Sequence, residues 1–201
     1  MSLWLGPELL VLASASAVRR AVLEGAAIPV EVRPADVDER AVERAGGAVE
    51  PHEVAALLAR TKALAIAARM PARIVLGADQ TLALGPRRFS KPGDRQQARE
   101  QLLALRGKTH SLHSAVAVVQ DGAVLHERVD TARLTMRRFS EDFLDRYLDV
   151  AGAAVVASVG AYQLERTGVH LFERVDGDHF TILGLPLLPV LAFFRQQGLL
   201  A

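Results

Sequence analysis

With 201 residues, half of them hydrophobic and 23% charged, the chain has the balance of a globular protein with a sizeable core, not of a disordered one. Lys and Arg number 24 against 23 Asp and Glu, so no net basic field argues for nonspecific nucleic-acid binding, and any cationic site has to be local. The lack of cysteine excludes disulfides, thiolate zinc sites and thiol nucleophiles, and fits a reducing compartment.

Met1 to Pro7 has no basic region followed by a long apolar segment, so it does not read as a signal peptide. Leu9 to Ala13 is an apolar run with the character of a buried strand. It gives way to Ser14 and Ser16 and then to Arg19 and Arg20 at the head of a helical pattern running to Ala26. Two readings of this stretch stand side by side. One is an anion seat, built from free N–H groups at a helix N-terminus and the forked donors of arginine. The other is an ordinary N-cap serine followed by solvated arginines. A short strand at Ile28 to Val32 leads into Asp36, Asp38 and Glu39, a cluster whose commoner fate is an acidic loop in water.

After Gly46 and Gly47, Pro51 opens a long helix to about Arg69. Lys62 lies inside its pattern, and spacing alone does not raise it above a solvated lysine. Ile74 to Ala78 then brings a buried-strand run to Asp79. That places a carboxylate at the carboxyl end of a strand, the edge where open α/β sheets bind ligands, with Leu82 to Leu84 resuming as strand. Phe89 to Asp94 reads as a loop carrying Lys91, with Asp94 capping a helix to about Leu105. Gly107-Lys108-Thr109 fails as a P-loop tail, because the glycine required earlier in that motif is Leu102 here. Thr109 to Val119 and Ala123 to Met136 pair as an antiparallel hairpin around Asp121-Gly122. His110 and His113 fall on opposite faces of the first of these strands and read as structural. Ser140 opens a helix to about Val150, Ser158 to Glu165 reads as a connecting loop, and Leu185 to Gln197 as a final helix. The longest apolar run, Ile182 to Phe194, is broken by Gly184, Pro186 and Pro189 and is too short for a membrane span. The whole, residues 1–201, reads as one cytoplasmic domain.

Taken in order, Leu12-Ala13-Ser14-Ala15-Ser16 with Arg19-Arg20, Asp36-Val37-Asp38-Glu39, the helix lysine Lys62, Gly77-Ala78-Asp79-Gln80, Lys91-Pro92, Gly160-Ala161-Tyr162 and Gly184-Leu185-Pro186 resemble the Maf family, from Leu10 to Leu188. The resemblance implies a mixed α/β fold similar to the inosine triphosphate pyrophosphatases: a mixed twisted sheet flanked by helices, in two lobes around a central cleft. It implies a nucleoside triphosphate pyrophosphatase that releases a nucleoside monophosphate and pyrophosphate, with house-cleaning of noncanonical nucleotides as its role. A divalent cation, Mg or Mn, would assist, and the protein would be a homodimer. Carried over by position, Ser16, Arg19 and Lys62 match phosphate-binding residues. Asp79 matches the general base, Glu39 and Lys91 further catalytic residues, and Glu39 with Asp79 the metal ligands. Val18, Gln80 and Glu165 match the positions that select the base.

Two motifs depart from the family's pattern. Members favouring dTTP and UTP carry Ser-Pro-Arg-Arg and Gly-Ala-Asp-Thr where this chain has Ala17, Val18 and Gln80. The Asp79-Gln80 pair looks more like the branch acting on 7-methyl-GTP, which in turn places an aromatic residue at the position of Val18. The inventory suits phosphoryl chemistry on its own terms. Arg19, Lys62 and Lys91 offset phosphate charge, Glu39 and Asp79 supply metal ligand and base, and Asp36 and Asp38 stand as weaker candidates. Two rivals are a phosphohydrolase that releases single phosphates and a nucleotide-binding regulator of septum formation without essential turnover.

Overall fold

In the computed structural model, which describes residues 2–47 and 50–201, the apolar run after Leu9 forms strand β1 (Leu10–Leu12), fully buried along its length. Helix α1 (Ala17–Gly25) links it to β2 (Val30–Val32), and α2 (Glu39–Gly46) and α3 (Pro51–Ala67) lead to β3 (Val75–Leu84). β1 lies between two parallel neighbours, with Leu12 opposite Val32 of β2 and Leu76 of β3. The chain continues through β4 (Arg87–Phe89), α4 (Arg95–Leu105), β5 (Thr109–Gln120), β6 (Ala123–Met136), α5 (Glu141–Ala151), β7 (Phe172–Asp176), α6 (His179–Ile182) and α7 (Leu187–Gln196). One seven-stranded sheet runs in the order β2-β1-β3-β5-β6-β7, with β4 on β3. The β3–β4 and β6–β7 pairs are antiparallel, so the sheet is mixed, as expected. Asp121 and Gly122, both at positive φ (49° and 76°), make the tight turn between β5 and β6, since a two-residue hairpin of this twist requires the left-handed region.

The chain divides into two compact units. The first comprises Met1–Gln80, His113–Asp130 and Asp178–Ala201, and the second Thr81–Leu112 and Thr131–Gly177. In the first, alternate residues of the strands feed two cores. Leu10, Leu12, Leu76 and Ala78 pack with Leu23 of α1 and with Val190 and Phe194 of α7. Val11, Val75, Ala115 and Ala117 pack under a stripe of small residues on α3, Ala55, Ala59 and Ala63. α3 comes down so closely that a Cβ on Gly77 would meet the Ala59 carbonyl oxygen at 2.1 Å and the Ala63 nitrogen at 2.8 Å. Glycine inside a strand here marks a close backbone approach.

In the second unit Leu82, Leu102, Leu105, Leu134, Met136 and Leu144 are fully buried. His110 is buried with its Nε2 2.8 Å from the Tyr162 hydroxyl. Burial pushes its imidazole down to about 4, so it is neutral near pH 7, in keeping with a structural role.

Several local expectations change. β3 is one continuous ten-residue strand, so Asp79 lies inside a strand, not at its end. The polar break was misleading because Lys62 receives the carboxylate (below). β3 nevertheless overruns its parallel neighbour, whose last paired residue, Leu12, stands opposite Leu76, and Asp79 lies beyond the carboxyl end of β1. The acidic loop closes into α2, with Asp38 as its N-cap, its Oδ1 accepting from Ala41 N at 3.0 Å. Arg87–Phe89 is a strand that takes in Phe89, read from the sequence as the start of a loop, and Phe172–Asp176 is a strand where the sequence reading assigned no element before the turn at Asp176. Ser158 to Glu165 contains a 3-10 turn at Val159–Ala161, with Gly160 and Ala161 at φ 76° and 61°.

Candidate active site

Serine before a helical pattern makes a cap, and Ser16 is the N-cap of α1, its Oγ accepting from Arg19 N at 3.3 Å. The cap leaves the hydroxyl proton free to be donated. One turn on, Arg19 reaches back across the sheet end. Its Nε donates to Gly184 O at 2.9 Å, and its Nη1 donates to Ala78 O at 2.7 Å and to Ser14 Oγ at 3.1 Å. Ser14, which the sequence reading passed over as a site residue, is buried and also accepts from Ser16 N. The signal for it was its place in the same Ser-x-Ser pair. Burial draws the Arg19 guanidinium below its usual range against the opposing pull of Asp79 and Glu39. It remains a cation near neutral pH, because guanidinium does not deprotonate in proteins.

The alternation of β3 sends Asp79 and Gln80 to opposite faces of the sheet. Asp79, only 8% exposed, faces α3, where Lys62 Nζ lies 2.6 Å from its Oδ1. The same Nζ lies 2.6 Å from Glu39 Oε1 at the first residue of α2. One lysine thus bridges a buried carboxylate and a half-exposed one. Gly77 lets it do so, because the close approach of α3 above that residue sets the height of Lys62 over Asp79. Burial raises the Asp79 carboxyl above the ordinary carboxylate range, and the cations Lys62 and Arg19 pull it back down. The raised affinity for a proton is what a general base uses.

On the other face, Gln80 Nε2 donates to Ser114 Oγ at 2.9 Å, Thr181 O at 3.1 Å and Ile182 O at 3.0 Å. Val18 is half-buried on α1, and Asp36 is exposed. The first unit therefore brings together Ser16, Arg19, Lys62, Glu39 and Asp79. Lys91 and Glu165 belong to the second unit and are exposed.

For a divalent cation the donor set is Glu39 and Asp79. Among the described residues no group of three or more His, Asp or Glu comes together to hold a metal. Two carboxylates with retained waters and substrate phosphate oxygens are what Mg or Mn takes in phosphoryl-transfer sites, so the residues present fit such an ion. Lys62, which now bridges the two carboxylates, is the group an incoming cation would compete with.

Among the described residues, no helix is long and apolar enough to cross a membrane. Residues 9–197 match the family model described as Maf-like protein. The chain is 56% identical over 201 residues, the full length of both, to the nucleoside triphosphate pyrophosphatase of Rhodopseudomonas palustris (strain ATCC BAA-98 / CGA009). It is 50% identical over 193 residues to the 7-methyl-GTP pyrophosphatase of Mesorhizobium japonicum, covering 95% of this chain and 97% of that one. Among solved structures, a HAM1 protein from Coxiella burnetii aligns with a TM-score of 0.45 at 16% identity, over 66% of this chain and 75% of that chain. Matched over nearly its whole length by the family model and over its full length by such relatives, the chain belongs to the Maf family.

Proposed function

We propose that this protein hydrolyses nucleoside triphosphates, canonical or modified, to the monophosphate and pyrophosphate. The observation that carries this reading is Lys62 bridging Asp79 and Glu39, with the Arg19 guanidinium close enough to act on both carboxylates. The full-length identity to relatives named for this activity supports it. Hydrolysis of a triphosphate needs cations to meet its oxygens and a base to orient water, with positioning and electrostatics doing most of the work. In this reading Arg19 and the Ser16 hydroxyl hold phosphate oxygens, and Lys62 takes over part of that charge as substrate displaces its carboxylate contacts. Asp79 orients and deprotonates the attacking water, and Glu39 steadies Lys62. Lys91 matches a further catalytic residue of the family's pattern. Glu39 and Asp79 would hold a bound Mg or Mn, which would supply charge neutralisation on the phosphates.

Base selection falls to Val18, Gln80 and Glu165. Gln80 resembles the branch to which the Mesorhizobium japonicum 7-methyl-GTP pyrophosphatase belongs by name, and 7-methyl-GTP is the first substrate to test. The reading extends to a single domain acting in the cytoplasm as a homodimer, without membrane or nucleic-acid partners. The test is purified protein with Mg or Mn and a panel of 7-methyl-GTP, GTP, dTTP, UTP and CTP. Pyrophosphate and monophosphate from at least one member are expected. Nucleoside diphosphate and orthophosphate as the products would overturn the reaction.

A further inference from the structure

The residue after Asp79 is held in a way that nothing in the proposed chemistry requires. Ser114 is fully buried on β5, and its hydroxyl has one proton to give. At 2.6 Å from the Thr181 carbonyl oxygen, that proton is committed to Thr181, so the lone pairs of Ser114 Oγ are what face Gln80. The Gln80 amide group then meets three acceptors at once: Ser114 Oγ, Thr181 O and Ile182 O, at 2.9, 3.1 and 3.0 Å. Only its nitrogen fits them, its two N–H bonds shared among the three acceptors. Turning the amide over would set Oε1 against two carbonyl oxygens and a hydroxyl oxygen whose proton is already spent, leaving three acceptor-to-acceptor contacts in a partly buried place. The donor side of Gln80 is therefore used up inside the protein, and Oε1 is the atom it has left to offer.

We propose that Ser114 is a positioning residue for base selection: with the Thr181 and Ile182 carbonyls, and by bracing the first of them, it holds the Gln80 amide so that this side chain presents an acceptor only, complementary to an N–H of the base and not to a carbonyl. The proposal rests on the reading of Gln80 as a base-selecting residue and goes beyond it in assigning which atom reads and what fixes that atom. Arg19 anchors the same segment from α1 through Gly184 O, so the carbonyls that hold Gln80 are themselves held.

The test is a double-mutant cycle on the intact protein with Ser114→Ala, Gln80→Ala and the pair. It reads KM and kcat for 7-methyl-GTP, GTP, UTP and dTTP. In Ser114→Ala the Thr181 and Ile182 carbonyls still hold the amide nitrogen, but the amide loses one of its three anchors and the Thr181 carbonyl loses its own donor, so Oε1 is placed less firmly and the spread of kcat/KM across the panel is expected to shrink about three- to tenfold, the worth of one neutral hydrogen bond. The change appears in KM, with kcat for the best substrate within about twofold by the same argument. In the Gln80→Ala background, Ser114→Ala is expected to change the spread no further, because it acts only through Gln80. Ser114→Cys keeps the shape and a weak donor and is expected to fall between parent and Ser114→Ala. It carries the test if the alanine variant does not fold. An equal loss of kcat/KM for every base, or a further loss of discrimination in the double variant, would overturn the proposal and make Ser114 a packing residue. Failure of the parent reading shows separately: the unmutated protein would then turn over no triphosphate, or Gln80→Ala alone would leave the spread unchanged.

Discussion

Gly77→Ala is the substitution that most sharply connects the packing to the chemistry. The added methyl lands 2.1 Å from a backbone oxygen and 2.8 Å from a backbone nitrogen of α3, so no side-chain rotation relieves it and the helix has to rise. Reaching even 3.4 Å, where ordinary contact begins, means a shift of 1.3 Å at Ala59. Lys62 sits one turn from Ala59, and its 2.6 Å contact with Asp79 would open to about 3.9 Å if the shift were fully transmitted, past hydrogen-bond reach. Overpacking of this kind costs about 1–3 kcal/mol, or a fall in Tm of roughly 2–4 °C per kcal/mol for a chain this size. A misplacement of about 1 Å in a positioned catalytic group costs about a hundredfold in rate. The assay pairs thermal unfolding with steady-state pyrophosphate release under saturating metal. A variant whose Tm and kcat/KM both match the parent would refute the reasoning that Gly77 sets the height of Lys62. A fall in Tm with kcat/KM unchanged would show that the helix settles without moving the lysine.

Other expectations follow from the same contacts. Asp79→Asn is expected to cut kcat by at least about a hundredfold while the protein stays folded, checked by circular dichroism and turnover on one preparation. Because burial raises Asp79 and Lys62 lowers it, Lys62→Met is expected to move the acid limb of the kcat profile to higher pH as well as to weaken substrate binding; an unmoved limb would separate Lys62 from Asp79. Asp38→Ala removes the cap of α2 at a cost of about 1 kcal/mol. The variant is expected to lower activity through fraying at Glu39, which follows the cap directly, and activity equal to the parent would mean that Glu39 is dispensable. His110, held down to about 4 from 6.5 by burial, contributes stability that is fully present above pH 6.5 and is lost as pH falls through 4. Urea unfolding from pH 7 to 4 is therefore expected to show a decline that His110→Asn flattens.

The site was legible in the sequence where one element carries it and obscure where partners come from far apart. Arg19 stood open between a solvated residue and an anion seat, its partners Ala78 and Gly184 being distant along the chain, but Ser16 announced itself as a cap, and the structure has that cap. Lys62 did not. Its helix spacing is that of a solvated lysine, and its burial depends on Asp79, 17 residues on, and on Glu39, upstream on another helix. α2 escaped because Glu39–Gly46 has too few apolar residues to show a helical stripe and buries none of them. β7 escaped because four of its five residues are exposed, so a strand held by pairing with β6 left little hydrophobic trace. Asp79 was placed at a strand end because a charged residue in a buried run reads as a break. The run continues because Lys62 stands over it. The order of the motifs along the chain, more than any one of them, marked the family.

The central claim is that Asp79, backed by Lys62 and Arg19, drives cleavage between the α and β phosphates. Phosphorus NMR of a triphosphate digest, run with the parent protein and with Asp79→Asn, tests it most directly. Monophosphate and pyrophosphate in equal amounts from the parent, and at least about a hundredfold less from the variant, is the predicted result. Orthophosphate with diphosphate, or equal rates from the two proteins, would contradict it.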